Sequence, residues 1–343
     1  MISRRTFVTT AGAVLAMPAI ARFGTGRALA AAPIRVGIIP ILGAAPAIVM
    51  NGEGWGKKAG LELSFVTFES GPNMIQALAS GTLDVYVAGV APLAVARAKG
   101  VDVKVATATA IEEMCMVAGP KLAAEFKDGV SAAQALANYR KANGKPARLA
   151  TQPAGSVPNT TLQHWLWEVA KAEKSDAEIV PMGIDATQQA LLTGAVEGAT
   201  IREPAVTIVT KRDPRNKIVA LGGVMFPNQP GTVVAFSGNF LARDAGAAQT
   251  IVNGVVKAVD LIKTNPDKAA PHIEAMLGKG IVDTATIKAA LMSPASKFVA
   301  DPETIVDATR QMQAYQVKLG SLDKEYPLEG LFDRSFYAKA IQG

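Results

Sequence analysis

IRVGII, residues 34–39, closed by Pro40, is the stretch on which the fold turns. A short apolar run ending at a turn signal reads as a buried parallel strand. Outward from it, a helix is expected over about 47–58, stopped by Gly60 as a C-terminal glycine stops helices. Leu61, Leu63 and Phe65 then alternate as one face of a strand over 61–68. Ser70-Gly71-Pro72-Asn73 turns into a helix over 74–79, stopped by Gly81. A strand over 83–88, a helix over 91–99 and a strand over 103–109 follow. Strands alternating with helices at this spacing mean an α/β fold with a parallel sheet.

The pattern then restarts. A strand over 148–152 ends at Pro153, and a loop over 155–159 leads to a helix over 160–171. A strand over 179–182, a helix over 186–192 stopped by Gly194 and a strand over 198–201 come next. The two halves align at a constant offset of 113 without a gap, with eight identities over positions 35–84. Arg35 falls on Arg148, Pro40 on Pro153, Gln76-Ala77-Leu78 on Gln189-Ala190-Leu191 and Gly81 on Gly194, while Asp84 meets Glu197. The identities fall on strand ends, a helix and a glycine stop, which argues for two lobes of like topology.

Met114–Ala118 and Thr232–Ser237 flank the second lobe and read as two crossings, with a hinge at about 117–120 and 222–233. After the second crossing the chain turns helical over 245–264, 267–277, 284–292 and 302–319, with Pro266 and Pro302 at helix starts. The expected organisation is an export signal over 1–30, a first lobe from 31–118 and 223–343, and a second lobe from 119–222. Ligands of open α/β sheets bind beyond the carboxyl ends of the strands. Two such edges facing across a two-strand hinge make a cleft that can close.

Ser3-Arg4-Arg5-Thr6-Phe7-Val8, a short apolar run and Ala28-Leu29-Ala30 together read as a twin-arginine export signal, cut after Ala30. The formal charge is +6, and removing a segment with four arginines and no acid leaves +2, so the basic pI is no argument for nucleic acid. A single cysteine, Cys115, excludes an internal disulfide and thiolate metal clusters. A soluble, monomeric, periplasmic protein is expected.

Three stretches carry a resemblance: IRVGIIPILGAAPAIVMNGEGWGKKAGLELSF, SGPNMIQALASGTLDVYVAG and QQALLTGAVEGATIREP. In order and spacing, over about 34–206, the chain resembles type II solute-binding proteins of bacterial ABC importers, in the nitrate/sulfonate/taurine branch related to thiamine-precursor binding domains. The resemblance implies a type II periplasmic-binding-protein fold of two α/β lobes joined by a two-strand hinge. It also implies capture of a small solute in the periplasm and its delivery to an ABC permease in the inner membrane, with no chemistry on the solute. Metal-using and cysteine-rich relatives are not matched here: the chain has one Cys and two His, His164 and His272, neither with a partner at ligand spacing. No cofactor, metal or catalytic residue is expected.

Helix N-termini at strand ends offer free N–H groups to an anion. The candidate ligand-binding residues of the first lobe are Leu42, Gly43, Ala44, Ser70, Gly71, Asn73, Ala88, Gly89 and Val90. Those of the second are Gln152, Ser156, Val157, Asn159, Asp185, Arg202 and Glu203. Arg202 presents a planar fork to an oxyanion. Glu203 matches the acid of the family's Glu-Pro segment and could take an ammonium. Ser70, Ser156 and Asp185 are equally readable as simple helix caps, and Trp55 as packing. The expected solute is a small organic anion such as a sulfonate, taurine or a carboxylate. An enzyme on the same fold and an exported sensor partner are the competing functions. Against the first stands the absence of any Gly-x-Ser-x-Gly, Cys–His pairing or phosphate-binding glycine loop.

Overall fold

Ten strands build two five-stranded sheets in the computed structural model, which describes residues 32–277 and 282–342. The twin-arginine segment and the expected cleavage site after Ala30 lie outside the described residues. The strands are β1 Ile34–Ile38, β2 Leu63–Thr67, β3 Val85–Gly89, β4 Val103–Ala108, β5 Cys115–Ala118, β6 Ala147–Thr151, β7 Ala177–Pro181, β8 Gly198–Ile201, β9 Lys217–Leu221 and β10 Thr232–Ser237. The first sheet runs β2-β1-β3-β10-β4 and the second β7-β6-β8-β5-β9. These are the same order, with β10 and β5 as the antiparallel members next to β3 and β8.

The offset of 113 is visible in the hydrogen bonding. Val36 pairs with Val85 in the first sheet and Leu149 with Gly198 in the second. Arg35 N donates to Asp84 Oδ2 at 3.0 Å, and Arg148 N donates to Glu197 Oε2 at 2.8 Å. The helices Gly71–Ala79 and Ile184–Leu192 correspond residue by residue. Both stop before a glycine in the left-handed region, Gly81 at φ 71° and Gly194 at φ 68°, where a side chain would be strained.

The crossings differ from expectation. Cys115–Ala118 is not a connector but a fully buried strand hydrogen-bonded on both sides within the second sheet, and Thr232–Ser237 does the same in the first. An apolar run with no polar side chain is stable where both edges are paired. The chain changes sheet at 109–114 and 222–231 instead. There Glu112 N donates to Gln229 O at 2.9 Å and Met114 N to Gln229 Oε1 at 3.2 Å, so the two crossings brace each other.

The expected helix over 160–171 starts earlier, at Val157, because Ser156 caps it, and loosens into a π turn over Trp165–Val169. The helices Ala132–Asn143 and Ala205–Arg212 complete the second lobe. The long helix Ala245–Thr264 buries Ile251, Val252, Val255 and Val259 against the first sheet's core. Gly254 lets it approach Met50 closely, since a Cβ there would lie 2.5 Å from Met50 Cγ. Helix Val306–Lys318 reaches the second lobe: Gln316 Nε2 donates to Thr160 Oγ1 at 3.0 Å.

Candidate functional site

The carboxyl end of β1 runs into a tight turn, Leu42–Ala44, that leads into helix Ala45–Gly52. All three turn residues are buried. Leu42 N donates to Glu203 O at 2.8 Å, a direct bond from the first lobe to the second. Gly43 is required by crowding: a Cβ there would lie 2.3 Å from Thr232 Oγ1 and 2.4 Å from Glu113 Oε2. At the end of β3, Ala88, Gly89 and Val90 are buried, and Gly89 faces Val157 so closely that a Cβ would lie 2.9 Å from Val157 Cγ2. Tyr86 OH donates to Gly89 O at 2.7 Å. Burial drives the Tyr86 phenol far above its ordinary pKa, so it stays a neutral donor.

Several candidates are engaged in holding their own loops. Asn73 N donates to Ser70 Oγ at 3.4 Å and Asn159 N to Ser156 Oγ at 3.3 Å, so both serines cap helices. Ser156 N donates to Pro153 O at 3.2 Å. Asn159 Nδ2 donates to Gln152 O at 3.1 Å, while Gln152 Oε1 is buried without a partner. Gly71 is tight, since a Cβ would lie 2.7 Å from Tyr86 OH. Asn73 and Asp185 are exposed in the first turns of their helices, and these two helix starts lie close together, since Ile184 N donates to Glu69 O at 3.3 Å. At Asp185 the cap position is taken by Gly183, and an acid in the first turn suits the helix dipole.

Arg202 and Glu203 are both buried, at 3% and 2% exposure. Arg202 Nη1 donates to Glu113 Oε1 at 3.1 Å, and Thr232 Oγ1 donates to the same oxygen at 2.7 Å. Glu203 accepts from Thr207 N and from Thr207 Oγ1, each at 3.0 Å, and so caps helix Ala205–Arg212. Burial nevertheless holds its carboxyl above the usual range, against the opposing bonds from Ser293 and Thr207. A small cavity of about 10 Å³ adjoins Leu42, Gly43, Glu113 and Glu203. A larger recess of about 320 Å³, lined by Lys121, Glu197, Asp213 and Asn216 among others, includes none of the candidate residues.

Glu113 is the residue sequence reasoning missed. An acid doublet, Glu112-Glu113, interrupting the apolar segments over 103–109 and 114–118 is the signal that could have found it. The histidines are structural. His164 Nδ1 meets Met225 O at 2.7 Å with its ring 4.5 Å from Phe226, and His272 Nε2 meets Glu53 Oε1 at 2.9 Å. Trp55 packs on the first lobe's core with Lys257 Nζ 4.3 Å over its ring. Burial pushes the Cys115 thiol up to about 12, leaving it unreactive.

Comparison with known proteins bears on the fold that carries these loops. A protein of Bacillus subtilis (strain 168) provisionally assigned to aliphatic sulfonate binding is 23% identical over 319 residues, covering 90% of this chain and 88% of its own. The periplasmic nitrate-binding protein of Synechocystis PCC 6803 superposes with a TM-score of 0.77 at 13% identity, over 90% of this chain and 88% of that one. The alkanesulfonate-binding protein of Xanthomonas axonopodis pv. citri, solved bound to MOPS, gives 0.69 at 16% identity, over 89% and 99%. These likenesses establish the two-lobed periplasmic-binding-protein fold. A family model described as NMT1-like matches residues 27–277, most of the chain, and the protein therefore belongs to the NMT1-like family.

Proposed function

We propose that the protein is the solute-binding component of an ABC import system, capturing a small organic solute between its two lobes and passing it to a permease in the inner membrane. The observation that carries this reading is the junction at Leu42 and Glu203. Loops from the carboxyl ends of both sheets meet there directly, Leu42 N to Glu203 O at 2.8 Å, while the chain crosses between the sheets at two other places. A solute contacting both loop sets favours the closed form by its differential affinity for it. The lobes, 32–108 with 232–342 and 115–221, move about the braced crossings at 109–114 and 222–231. The relatives, which include sulfonate- and nitrate-binding proteins, support a small anionic solute such as a sulfonate, taurine or a carboxylate. The protein acts as a monomer in the periplasm after cleavage following Ala30, without catalysis or a cofactor.

A thermal-shift screen against sulfonates, carboxylates, nitrate, amino acids and pyrimidines tests the proposal. A solute that binds only the folded state, at 100 times its Kd, adds about 2.7 kcal/mol of stability. One class should raise the Tm and induce compaction in small-angle scattering. Binding without compaction would remove the closing cleft, and turnover of the bound compound would replace transport with enzymology.

A further inference from the structure

Arg202 is the group the sequence assigns to an anionic solute, but it already has an internal partner. Glu113, on the crossing over 109–114, is 3% exposed. Its Oε1 takes both available bonds, from Arg202 Nη1 at 3.1 Å and Thr232 Oγ1 at 2.7 Å. Its Oε2 is buried and has no hydrogen-bond partner. A carboxylate oxygen left bare in a protein interior is costly, and native structures almost always fill such a place.

Two further observations bear on what fills it. Oε2 faces Gly43, where any side chain would collide with it, since a Cβ would lie 2.4 Å away. Glycine at 43 therefore leaves Oε2 without a covering side chain from that loop. The cavity beside it, about 10 Å³, is also bordered by Glu203, and it has room for no more than one small group. Lys297 also borders the cavity, but its ammonium is held by Glu112 rather than by Glu113 Oε2. A plain anion arriving at Arg202 competes with Glu113 and meets Glu203, whereas an N–H donor meets an oxygen that needs one. The guanidinium carries five N–H donors, and its one side-chain bond among the described residues goes to Glu113. Donors therefore remain for an acidic end of the same solute.

We propose that the solute carries a protonated nitrogen, of the ammonium or amidinium class, that donates to Glu113 Oε2. Glu113 is then the residue that separates amine-bearing solutes from plain anions of the same size. The inference rests on the reading of the cleft as a solute-capture site.

The test is calorimetric titration of the full chain with matched pairs differing only in the amine: 2-aminoethanesulfonate against ethanesulfonate, 3-aminopropanoate against propanoate, and 4-(aminomethyl)benzoate against 4-methylbenzoate. In at least one pair the amine-bearing member should bind at least ten-fold more tightly, and Glu113→Gln should bring that pair within about three-fold. Removing one charge of a buried pair can unfold a protein. The double variant Glu113→Gln/Arg202→Gln therefore keeps the site neutral and should also lose the preference for the amine. Equal binding within every pair, or an amine preference unchanged in both variants, overturns the inference and leaves Oε2 as the seat of a water, with solute capture intact. No binding by any member of any pair would take down the capture reading together with the inference.

Discussion

Asp84 and Glu197 stand 113 residues apart at the same place in the two lobes, and each accepts a backbone N–H from the start of the neighbouring strand. Beyond that bond they differ. Asp84 is buried and also receives Arg35 Nε at 2.9 Å, Arg35 Nη2 at 3.0 Å and Arg243 Nη2 at 3.0 Å. Glu197 has no arginine side chain: Arg148 Nη1 turns instead to Ala195 O at 2.9 Å, and its Nε lies 4.0 Å from Glu178. The repeat thus preserves the carboxylate's backbone role and not its charge network. Arg243 comes from the segment after β10, so it ties the C-terminal part of the chain into the first sheet. The first lobe is assembled from both ends of the chain and uses this network to join them, whereas the second lobe is continuous and needs no such tie.

The largest effect should come from breaking that network. Asp84→Ala removes an acceptor from one backbone N–H and two guanidinium groups. Charge-assisted bonds are worth about 1.5–3 kcal/mol each when buried, but both arginines are partly exposed and can return to water, so a total of about 3 kcal/mol is expected. Glu197→Ala loses the backbone bond and one from the Tyr139 hydroxyl, about 1–2 kcal/mol in all. Urea unfolding of both variants checks the ratio, and equal losses would mean that the arginines contribute no more than Tyr139 does. The same contrast appears in acid. Burial alone would raise the Asp84 carboxyl, but the bonds from Arg35 and Arg243 outweigh it and hold the pKa below the usual carboxylate range. Its stabilisation is therefore complete above the unfolded value of about 4 and is lost as pH falls through the lower folded value. A pH titration of stability should show Asp84→Ala and the parent chain drawing together as pH falls below the unfolded carboxylate value and through the lower folded one.

A second pair sharpens the comparison at the cleft. Gly43 and Ser156 are also 113 apart, following the corresponding strands β1 and β6. Gly43→Ala forces a methyl group against Thr232 and Glu113, and overpacking of this kind costs about 2 kcal/mol. It should also weaken solute binding, because the methyl group occupies the approach to Glu113. A variant with unchanged Tm and Kd would show that the loop yields freely.

Much of this was legible in the sequence because its signals are local. Gly81 and Gly194 stop their helices by their own backbone conformation, and β1, β3, β6 and β8 lie within a residue or two of where their apolar runs place them. What was illegible depends on distant partners. The apolar run over 115–118 carries no mark of which strands flank it, so a sheet member reads as a connector. Lys217–Leu221 is a short edge strand whose pairing with β5 includes a bulge. Glu113 acquires its meaning from Thr232, 119 residues away, and from Arg202, 89 residues away. Spacing brought Asp185 to the first turn of its helix, but that this helix start, at Ile184, adjoins Glu69 in the other lobe depends on a residue 115 positions away.

Ser156 provides the smallest and most discriminating test of the lobe comparison. Its hydroxyl accepts from Asn159 N at 3.3 Å, and its own N–H is spent on Pro153 O at 3.2 Å. The N–H is therefore used in shaping the loop, while the hydroxyl, which only accepts there, keeps its own O–H donor. Ser156→Ala should cost about 1 kcal/mol, the usual value of a lost N-cap, with Asn159 N left without its acceptor. If capping is the whole role, Ser156→Asp, which also caps, should recover stability and leave solute affinity near that of the parent chain. If the hydroxyl also reaches the solute, Ser156→Asp should restore the Tm while an acidic solute is repelled, and affinity should fall at least ten-fold. The separation of Tm from Kd in that one variant decides whether position 156 has the same purpose as Gly43, which shapes space for the ligand, or only holds the helix that faces it.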